Sequence, residues 1–576
     1  MTFRHTTTAA LVIALAASLA SCVDDKYDLS DIDTTVQVKV NDLTIPVNLD
    51  AIELKSILEE GDEIKIVDGQ YAITEDGDFN SSPINIGAVN IASQEFNPTV
   101  INIPYVPAAV TAASGAAGHF PIELEAQAFK FTATDIPSEI TGVSALGGEL
   151  EFIFTFHLSG INSIANRVEL QNLELQLPKG LRMTDVAGGT YDPMTGIANI
   201  PAKEVKGEKL TLTLKADRVD IETMDAVFNS DAHSLEVSGD FYVKSGSIAI
   251  AKADLLPGTT PTQLKLTVNY EIPDFTVSTF SGRVKYTIDG VDISDVDLSD
   301  LPDVLTQEGT DISIVNPCIY ISLENPLGRY GLTAQTGMTI TSYHGDDAKE
   351  FTLNAPGYFI IDAGGEDGKS SYCLSPVDPS VKLAGYESAK HVPFTELSGV
   401  LSGKGLPSRL GIKLNDPNVN DQPVVDLPLG SDIGEVKGSY EFFAPIALCT
   451  GSKIVYSDVA DGWGSEDLDH LTITDLHVRA SISCEIPLAL DAMAYPIDKD
   501  GNDIDGVKIE GAKLTAGSEP QTVDIHITGE IKGGLDGIRY EVTATAGSDE
   551  TPLKPDMKII VTNLRPSVSG YYEKEL

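Results

Sequence analysis

The sequence predicts an all-β protein built from tandem antiparallel β-sandwich domains with a small α+β module near the N-terminus. Period-two alternation of apolar and polar residues, the pattern of half-buried strands, recurs through most of the chain, as in residues 149–158, 209–216, 263–272 and 522–531. Fifty glycines and 31 prolines supply turns between short strands. With 576 residues, the chain is long enough for three or four domains.

The first 21 residues have the pattern of a secretory signal peptide. Arg4 precedes an apolar run from Ala9 to Ala20, which is shorter than the roughly 20 residues that span a bilayer. The run ends in Leu19-Ala20-Ser21-Cys22, which resembles a bacterial lipobox. That resemblance implies cleavage before Cys22 and acylation of Cys22, with palmitate among the chains, so that several acyl groups hold the protein on a membrane. The alternative is an ordinary signal peptide in which Cys22 has no role.

Residues 22–40 form the predicted acidic tether. Asp24 and Asp25 directly behind Cys22 resemble the export signal of Bacteroidetes-type surface-exposed outer-membrane lipoproteins, and Asp33-Thr34-Thr35 resembles the short O-glycosylation motif of the same bacteria. The resemblance implies an outer-membrane location with the protein facing the cell exterior. The composition by itself indicates a solvated linker.

Residues 41–110 are predicted as a small helix and hairpin module. Ala51–Glu60 has a helical apolar face, with Asp50 placed to cap it and Gly61 to end it. Asp68-Gly69 between two apolar runs, 64–67 and 70–73, indicates a type I′ hairpin turn.

Three later segments share one pattern, in which alternating apolar residues flank an Asn or Asp and end at a proline. They are residues 168–178, 312–326 and 471–487, with Asn172, Asn316 and Asp475 at the shared position. A further match of residues 202–214 with 512–527 supports duplication of the first and third copies. We therefore expect β-sandwiches, immunoglobulin-like or similar, at 119–270, 271–435 and 436–576, with the Ala/Gly-rich stretch 108–118 as the first boundary.

The charge of the chain excludes several classes of partner. Acidic residues outnumber basic ones by 86 to 39, a formal net charge of −47. Nucleic acids, anionic lipid surfaces and polyanionic substrates all require a basic face. Residues 363–370 fit a relaxed phosphate-loop pattern, but no helix pattern follows them, so no nucleotide site is expected.

No local motif indicates catalysis, a cofactor or a metal centre. The chain lacks G-x-S-x-G, H-E-x-x-H and C-x-x-C patterns. His477 is expected to face solvent on a strand. The acidic loop 498–506 fails the EF-hand template, because positions six and twelve hold Asp503 and Ile509. The loop 289–303 is interpreted as solubilising turns with an aspartate capping a short helix near Leu301, and irregular calcium binding in either loop stays open. A hydrolase with scattered carboxylates also stays open.

The single tryptophan, Trp463, is the candidate residue for stacking a ligand such as a sugar. It lies between glycines in an acidic loop. The alternative is a tryptophan folded onto the end of a sandwich.

Four cysteines remain after Cys22. Two predicted repeats each contain a pair, which favours the disulfides Cys318–Cys373 and Cys449–Cys484 over the other connectivities. Buried free thiols are the alternative and are slightly preferred.

We expect a non-catalytic, lipid-anchored surface protein that acts as a structural or binding scaffold. The first alternative is a glycan-binding lipoprotein of a polysaccharide-uptake system. The second is a fimbrial or adhesin subunit, although fimbrillin-like proteins mature at an arginine soon after the cysteine, and the first arginine after Cys22 is Arg167. The expected partners are the membrane, through the lipid, and a glycan or surface protein.

Overall fold

The computed structural model describes residues 35–45, 52–104, 106–258, 263–291, 293–307, 309–353, 359–361, 369–464, 470–515, 517–548 and 550–575. The signal peptide, Cys22 and most of the tether lie outside these residues. The described part of the chain is dominated by antiparallel strands, which confirms the predicted all-β sandwich class. No helix in the described ranges has the length and apolar character needed to cross a bilayer.

The strands of the first quarter of the chain are β1 (Thr35–Thr44), β2 (Ile52–Glu53), β3 (Ile64–Val67), β4 (Gln70–Asn80), β5 (Ile84–Asn85), β6 (Val89–Ile91), β7 (Gln94–Glu95), β8 (Thr99–Ile103), β9 (Ala117–Ile122) and β10 (Ala128–Ala133). They are followed by β11 (Ile140–Ser159), β12 (Val168–Gln176), β13 (Leu181–Asp185), β14 (Thr190–Asp192), β15 (Ile197–Ile200), β16 (Lys203–Val205), β17 (Lys209–Asp220), β18 (Asp225–Asn229), β19 (Ser234–Asp240), β20 (Tyr242–Ala251), β21 (Leu264–Ile272) and β22 (Phe275–Val277).

The chain continues with β23 (Thr279–Thr287), β24 (Val296–Asp297), β25 (Ile312–Ser313), β26 (Cys318–Glu324), β27 (Ala334–His344), β28 (Asp347–Leu353), β29 (Phe359–Ile361), β30 (Lys369–Ser375), β31 (Lys390–Pro393), β32 (Ser402–Gly403), β33 (Arg409–Pro428), β34 (Asp432–Gly434) and β35 (Lys437–Pro445). The last are β36 (Lys453–Ala460), β37 (Leu471–Cys484), β38 (Leu488–Ile497), β39 (Lys508–Glu510), β40 (Ala512–Leu514), β41 (Gly517–Lys532), β42 (Gly537–Ala546) and β43 (Lys558–Glu575).

The described helices are short. The α-helices are Val106–Ala112 and Asp303–Thr306, and the 3-10 turns are Leu54–Ser56, Ile161–Ser163, Ile221–Thr223, Lys252–Asp254, Pro326–Tyr330 and Thr395–Gly399.

Three sandwiches share one order of strand pairing. One sheet of each has the order β9-β20-β12-β15 in the first sandwich, β4-β35-β26-β30 in the second and β1-β43-β37-β41 in the third. The other sheet has the orders β11-β17-β13, β23-β33-β27 and β36-β42-β38. The first and third copies therefore share one strand order, as duplication predicts, but the third sandwich includes β1 (Thr35–Thr44), which lies outside the predicted range 436–576.

One strand of each sandwich comes from the N-terminal part of the chain, and these strands occur in reverse order. β1 pairs with β43 of the third sandwich, β4 with β35 of the second and β9 with β20 of the first, all antiparallel. The N-terminal part of the chain thus supplies a strand to the third, the second and the first sandwich, in that order. The remaining strands of the first, the second and the third sandwich then follow along the chain. This nesting corrects the prediction of a separate module at 41–110, because the strands of that segment are distributed among larger sheets.

The described residues form two compact units. One contains residues up to Ser56 with Lys453–Asp549 and Asp556–Leu576, and the other contains Ile57–Ser452 with Glu550–Pro555. The third sandwich belongs to the first of these units. The first and second sandwiches belong to the other unit, where β11 pairs with β23 and joins their sheets.

Local turn chemistry predicted some elements correctly and others incorrectly. β3 and β4 form the expected hairpin, with Asp68 and Gly69 at φ of 52° and 77° as a type I′ turn requires. The helix predicted over Ala51–Glu60 is wrong, because Ile52–Glu53 pairs with β43 and only Leu54–Ser56 turns. Tertiary pairing here overrides a short helical pattern that is marginal by itself.

Two other predictions from the repeats need correction. The Ala/Gly-rich stretch is no linker, since it contains the helix Val106–Ala112 and the start of β9. The downstream match of 202–214 with 512–527 is also wrong: β17 belongs to the β11 sheet, whereas β41 pairs with β37. By its place in the order, β17 corresponds to β42.

The interior of the first sandwich is centred on one aromatic ring. Phe241 is fully buried, and its ring centroid lies 4.7 Å from that of Phe154, 5.7 Å from Phe152, 5.9 Å from Tyr270 and 5.2 Å from Phe96. All four contacts are edge-to-face, the geometry that aromatic quadrupoles favour. These contacts pack β11 and β21 against Phe241, the residue that joins β19 to β20.

Candidate functional site

The second sandwich has an open polar depression on the outer face of β4, β35 and β26, which we call the outer groove. Its volume is about 470 Å³. Strand register aligns its side chains in rows, with Asp78 opposite Ser439 and Ser439 opposite Ser322. The polar lining residues are Asp78, Asn80, Ser322, Glu324, Lys369, Glu435, Lys437 and Ser439. The surface therefore presents closely spaced hydrogen-bond donors and acceptors.

The outer groove continues into a second depression of about 390 Å³ that shares Asp78 and Ser439 with it. Here the ring of Tyr386 forms part of the wall, together with Asp76 and Glu441. Tyr386 also packs on Tyr320, with ring centroids 5.0 Å apart. One half-buried aromatic ring thus borders an acidic surface.

Glu441 and Asp76 are directly opposite each other on β35 and β4. Burial and then the charge of Asp76 raise the pKa of Glu441 above its usual range. A raised pKa means that ionised Glu441 destabilises the folded state relative to the unfolded state. This destabilisation is present at neutral pH and disappears as acid protonates the carboxylate.

We therefore expect Glu441→Gln to stabilise the second sandwich by up to about 1 kcal/mol at pH 8, because it removes a directly opposed like charge. Denaturant unfolding at pH 8 and at pH 4 measures this. The stabilisation should shrink at pH 4, and equal effects at both pH values would contradict the assignment.

Trp463 is not an exposed stacking platform, which corrects the candidate role given to it. Its side chain is 8% exposed and borders an apolar cavity of about 120 Å³ between the two sheets of the third sandwich. Its backbone N–H donates to Asp536 O at 2.7 Å, and the N–H of Gly464 donates to Asp536 Oδ1 at 2.8 Å. The tryptophan closes the end of the sandwich core, which was the alternative interpretation.

The two disulfides considered from the sequence are absent, and Cys318, Cys373, Cys449 and Cys484 are free thiols, which was the preferred interpretation. Cys373 lies opposite Tyr320, so Cys318 is its diagonal neighbour across the two strands. Diagonal Cα atoms are about 7–8 Å apart, beyond the reach of an unstrained disulfide. Cys449 and Cys484 belong to different compact units, which removes the reason for pairing them.

Cys318 and Cys373 nevertheless interact. Both are buried with Tyr320 and Ala389. The neighbouring thiol of Cys318 lowers the pKa of the Cys373 thiol to about 7, and the neighbouring Cys373 raises the pKa of Cys318. The pair is a shielded dithiol on the outer face of the second sandwich.

The acidic loops use their carboxylates within the fold. Asp498 Oδ1 accepts the backbone N–H groups of Asp500 and Asn502, each at 2.9 Å, and Asp503 accepts from Arg539 at 2.7 Å. Asp297 accepts the N–H of Ser299, and the expected short helix near Leu301 spans Asp303–Thr306. The expected aspartate cap is wrong, because the N-cap residue is Pro302 and no side chain caps the helix. These contacts agree with the interpretation of both loops as turns.

The third sandwich contains a group of His and Asp side chains that the sequence did not reveal. His477 on β37 is the register partner of His526 on β41, and their rings stack with centroids 4.1 Å apart. Asp475 Oδ1 lies 2.5 Å from His526 Nε2 and 3.6 Å from His477 Nε2. His477 Nδ1 bonds Asp524 Oδ1 at 2.7 Å. We call Asp475, His477 and His526 the His–Asp cluster.

A bulge creates the His–Asp cluster. The register of β37 shifts between Ile473 and Asp475, so Asp475 leaves the inward-facing series and joins His477 on the outer face. His477 was expected to face solvent and does so partly, being 23% exposed. Its partner, 49 residues away, could only be identified from the pairing of β37 with β41.

Comparisons with known proteins give no family. No family model matches this chain, and no curated protein matches it. Among solved structures, the chain is similar to a “putative secreted protein” from Parabacteroides distasonis, with 13% identity, a TM-score of 0.38 and coverage of 51% of this chain and 90% of the other. It also matches a structure of Broad Bean Stain Virus, at 10% identity, a TM-score of 0.12 and coverage of 52% and 90%.

Proposed function

We propose that this protein is a lipid-anchored outer-membrane protein that faces the cell exterior and acts as a non-catalytic binding scaffold. The observation that carries the binding role is the outer groove, an open surface of aligned polar side chains on paired strands. The anchor rests on Leu19-Ala20-Ser21-Cys22 and its resemblance to a lipobox, and the outward orientation on the acidic residues that follow. The net charge of −47 favours partners that are neutral or basic.

Glycan capture is the second candidate function. The outer groove favours it, because hydroxyl-rich ligands are recognised by carboxylate, amide and hydroxyl side chains beside an aromatic ring such as Tyr386. Saturable binding of a soluble polysaccharide that is lost on Asp78→Ala would support this candidate. Binding that is unchanged by the substitution would argue against the outer groove as its site.

Maturation by cleavage at Arg167, as a fimbrial subunit would need, is disfavoured. Arg167 lies directly before β12, and the strands β1, β4 and β9 that complete the three sandwiches all precede it. Cleavage there would leave every sandwich dependent on a detached segment.

Replacing Cys22 with serine should release the protein from the membrane fraction, because the lipid is its proposed anchor. Cell fractionation with carbonate washing measures this. Protease added to intact cells tests orientation, and the wild-type chain should be degraded while a periplasmic marker survives. A Cys22→Ser chain that stays in washed membranes, or a wild-type chain protected from protease, would contradict the proposal.

A further inference from the structure

We propose that Asp475, His477 and His526 bind one divalent transition-metal ion of the zinc class on the outer face of the third sandwich. One carboxylate oxygen and one nitrogen of each imidazole all lie within 4.8 Å of one another. Two imidazoles and a carboxylate are a donor set suited to zinc and its neighbours in the first transition series. Such a site goes beyond the scaffold role proposed above.

The backbone places these donors before any metal arrives. His477 and His526 are directly opposed on paired strands, and the bulge at Asp475 brings the third donor to the same face. Tetrahedral zinc ligands at 2.0–2.2 Å are about 3.3 Å apart, so only side-chain rotations are needed to close the set. The contact of Asp475 Oδ1 with His526 Nε2, at 2.5 Å, would open to admit the ion.

Asp524 and Arg479 supply the supporting contacts that metal-binding histidines usually have. Asp524 accepts from His477 Nδ1 at 2.7 Å, which leaves Nε2 directed toward Asp475. Arg479 Nε donates to the other oxygen of Asp524 at 3.1 Å. A carboxylate behind a ligating imidazole fixes its tautomer and orientation.

The partial exposure of the donors sets what the ion could do. His477 is 23% exposed, His526 30% and Asp475 39%. Three protein donors leave a fourth position of a tetrahedral ion open to solvent. The ion would cross-link β37 and β41 and present one exchangeable position to water or to a donor group of a bound partner.

The test is a titration of the purified, chelator-treated protein with Zn²⁺ in the presence of excess Mg²⁺. Mg²⁺ is a hard cation that occupies exposed carboxylates but binds imidazoles poorly, so it leaves the His–Asp cluster free for Zn²⁺. Calorimetry and elemental analysis after desalting should give one equivalent of zinc per chain. His526→Gln should weaken binding at least about tenfold, and Asp524→Asn should weaken it about 10- to 100-fold with all three ligands intact.

Two control variants locate the site. His119→Gln, at an exposed histidine of the first sandwich, should bind like wild type. Cys318→Ser with Cys373→Ser should also bind like wild type, which separates the His–Asp cluster from the dithiol. If His526→Gln is poorly folded, the effect of Zn²⁺ on the melting temperature tests the site instead. Zn²⁺ should raise the melting temperature of wild type and of the two control variants, but not that of Asp475→Asn. Absence of a saturable equivalent, or its loss in the cysteine variant alone, would overturn the proposal.

Discussion

Ile73→Asp is expected to unfold the second sandwich, although Ile73 lies more than 200 residues before the other strands of that sandwich. Ile73 is fully buried in β4, between Ile64 of β3 and Ala444 of β35. An uncompensated charge at this position should cost about 4 kcal/mol or more. Hydrogen exchange should show lost protection in β26 and β35 as well as in β4.

Ile73→Val is the matched control, with an expected cost of about 0.5–1.5 kcal/mol and retained protection. If Ile73→Asp exposes only β3 and β4 while β26 and β35 stay protected, the N-terminal segment is a separate module after all. That outcome would contradict the nested order of the sandwiches.

Phe241→Ala should destabilise the first sandwich by about 3–5 kcal/mol, the usual range for removing a buried phenylalanine. The Phe241 ring contacts four other aromatic side chains, including Phe154 of β11 and Tyr270 of β21. Its removal therefore leaves a cavity that the side chains of these two strands cannot fill. Local unfolding free energies from hydrogen exchange in β11 and β20 measure the effect.

Phe241→Leu, which keeps most of the volume, should cost clearly less than Phe241→Ala. Similar losses for the two variants would show that packing around the ring is not what holds these strands together. A loss confined to the third sandwich would contradict the assignment of Phe241 to the first.

Sequence patterns predicted the strands better than their partners. Alternation around Asn172, Asn316 and Asp475 located the same strand in all three sandwiches, because a strand with one buried face must alternate wherever it lies. The sheet that β1 joins could not be predicted, since Thr35 pairs with Glu575 at the far end of the chain and no local pattern specifies such a partner. The helix predicted near Leu54 failed for the same reason.

The shared strand also explains why the sites differ between copies. The residue two positions after the common Asn or Asp is Glu174 in the first sandwich, Cys318 in the second and His477 in the third. On the paired strand, Cys373 and His526 lie close to Cys318 and His477, respectively. One outer-face position of a repeated fold therefore carries a dithiol in one copy and the His–Asp cluster in another, which only the register of the strands makes visible.

The anchor at Cys22 is the central claim about where this protein acts, and mass spectrometry of the N-terminal tryptic peptide of membrane-extracted protein tests it most directly. Trypsin cleaves after Lys26, so the account predicts the peptide 22–26 carrying acyl chains on Cys22. Unprocessed protein would instead yield the unmodified peptide 5–26. Detection of that longer peptide, or of an unacylated N-terminus at or beyond residue 22, would contradict the lipid anchor.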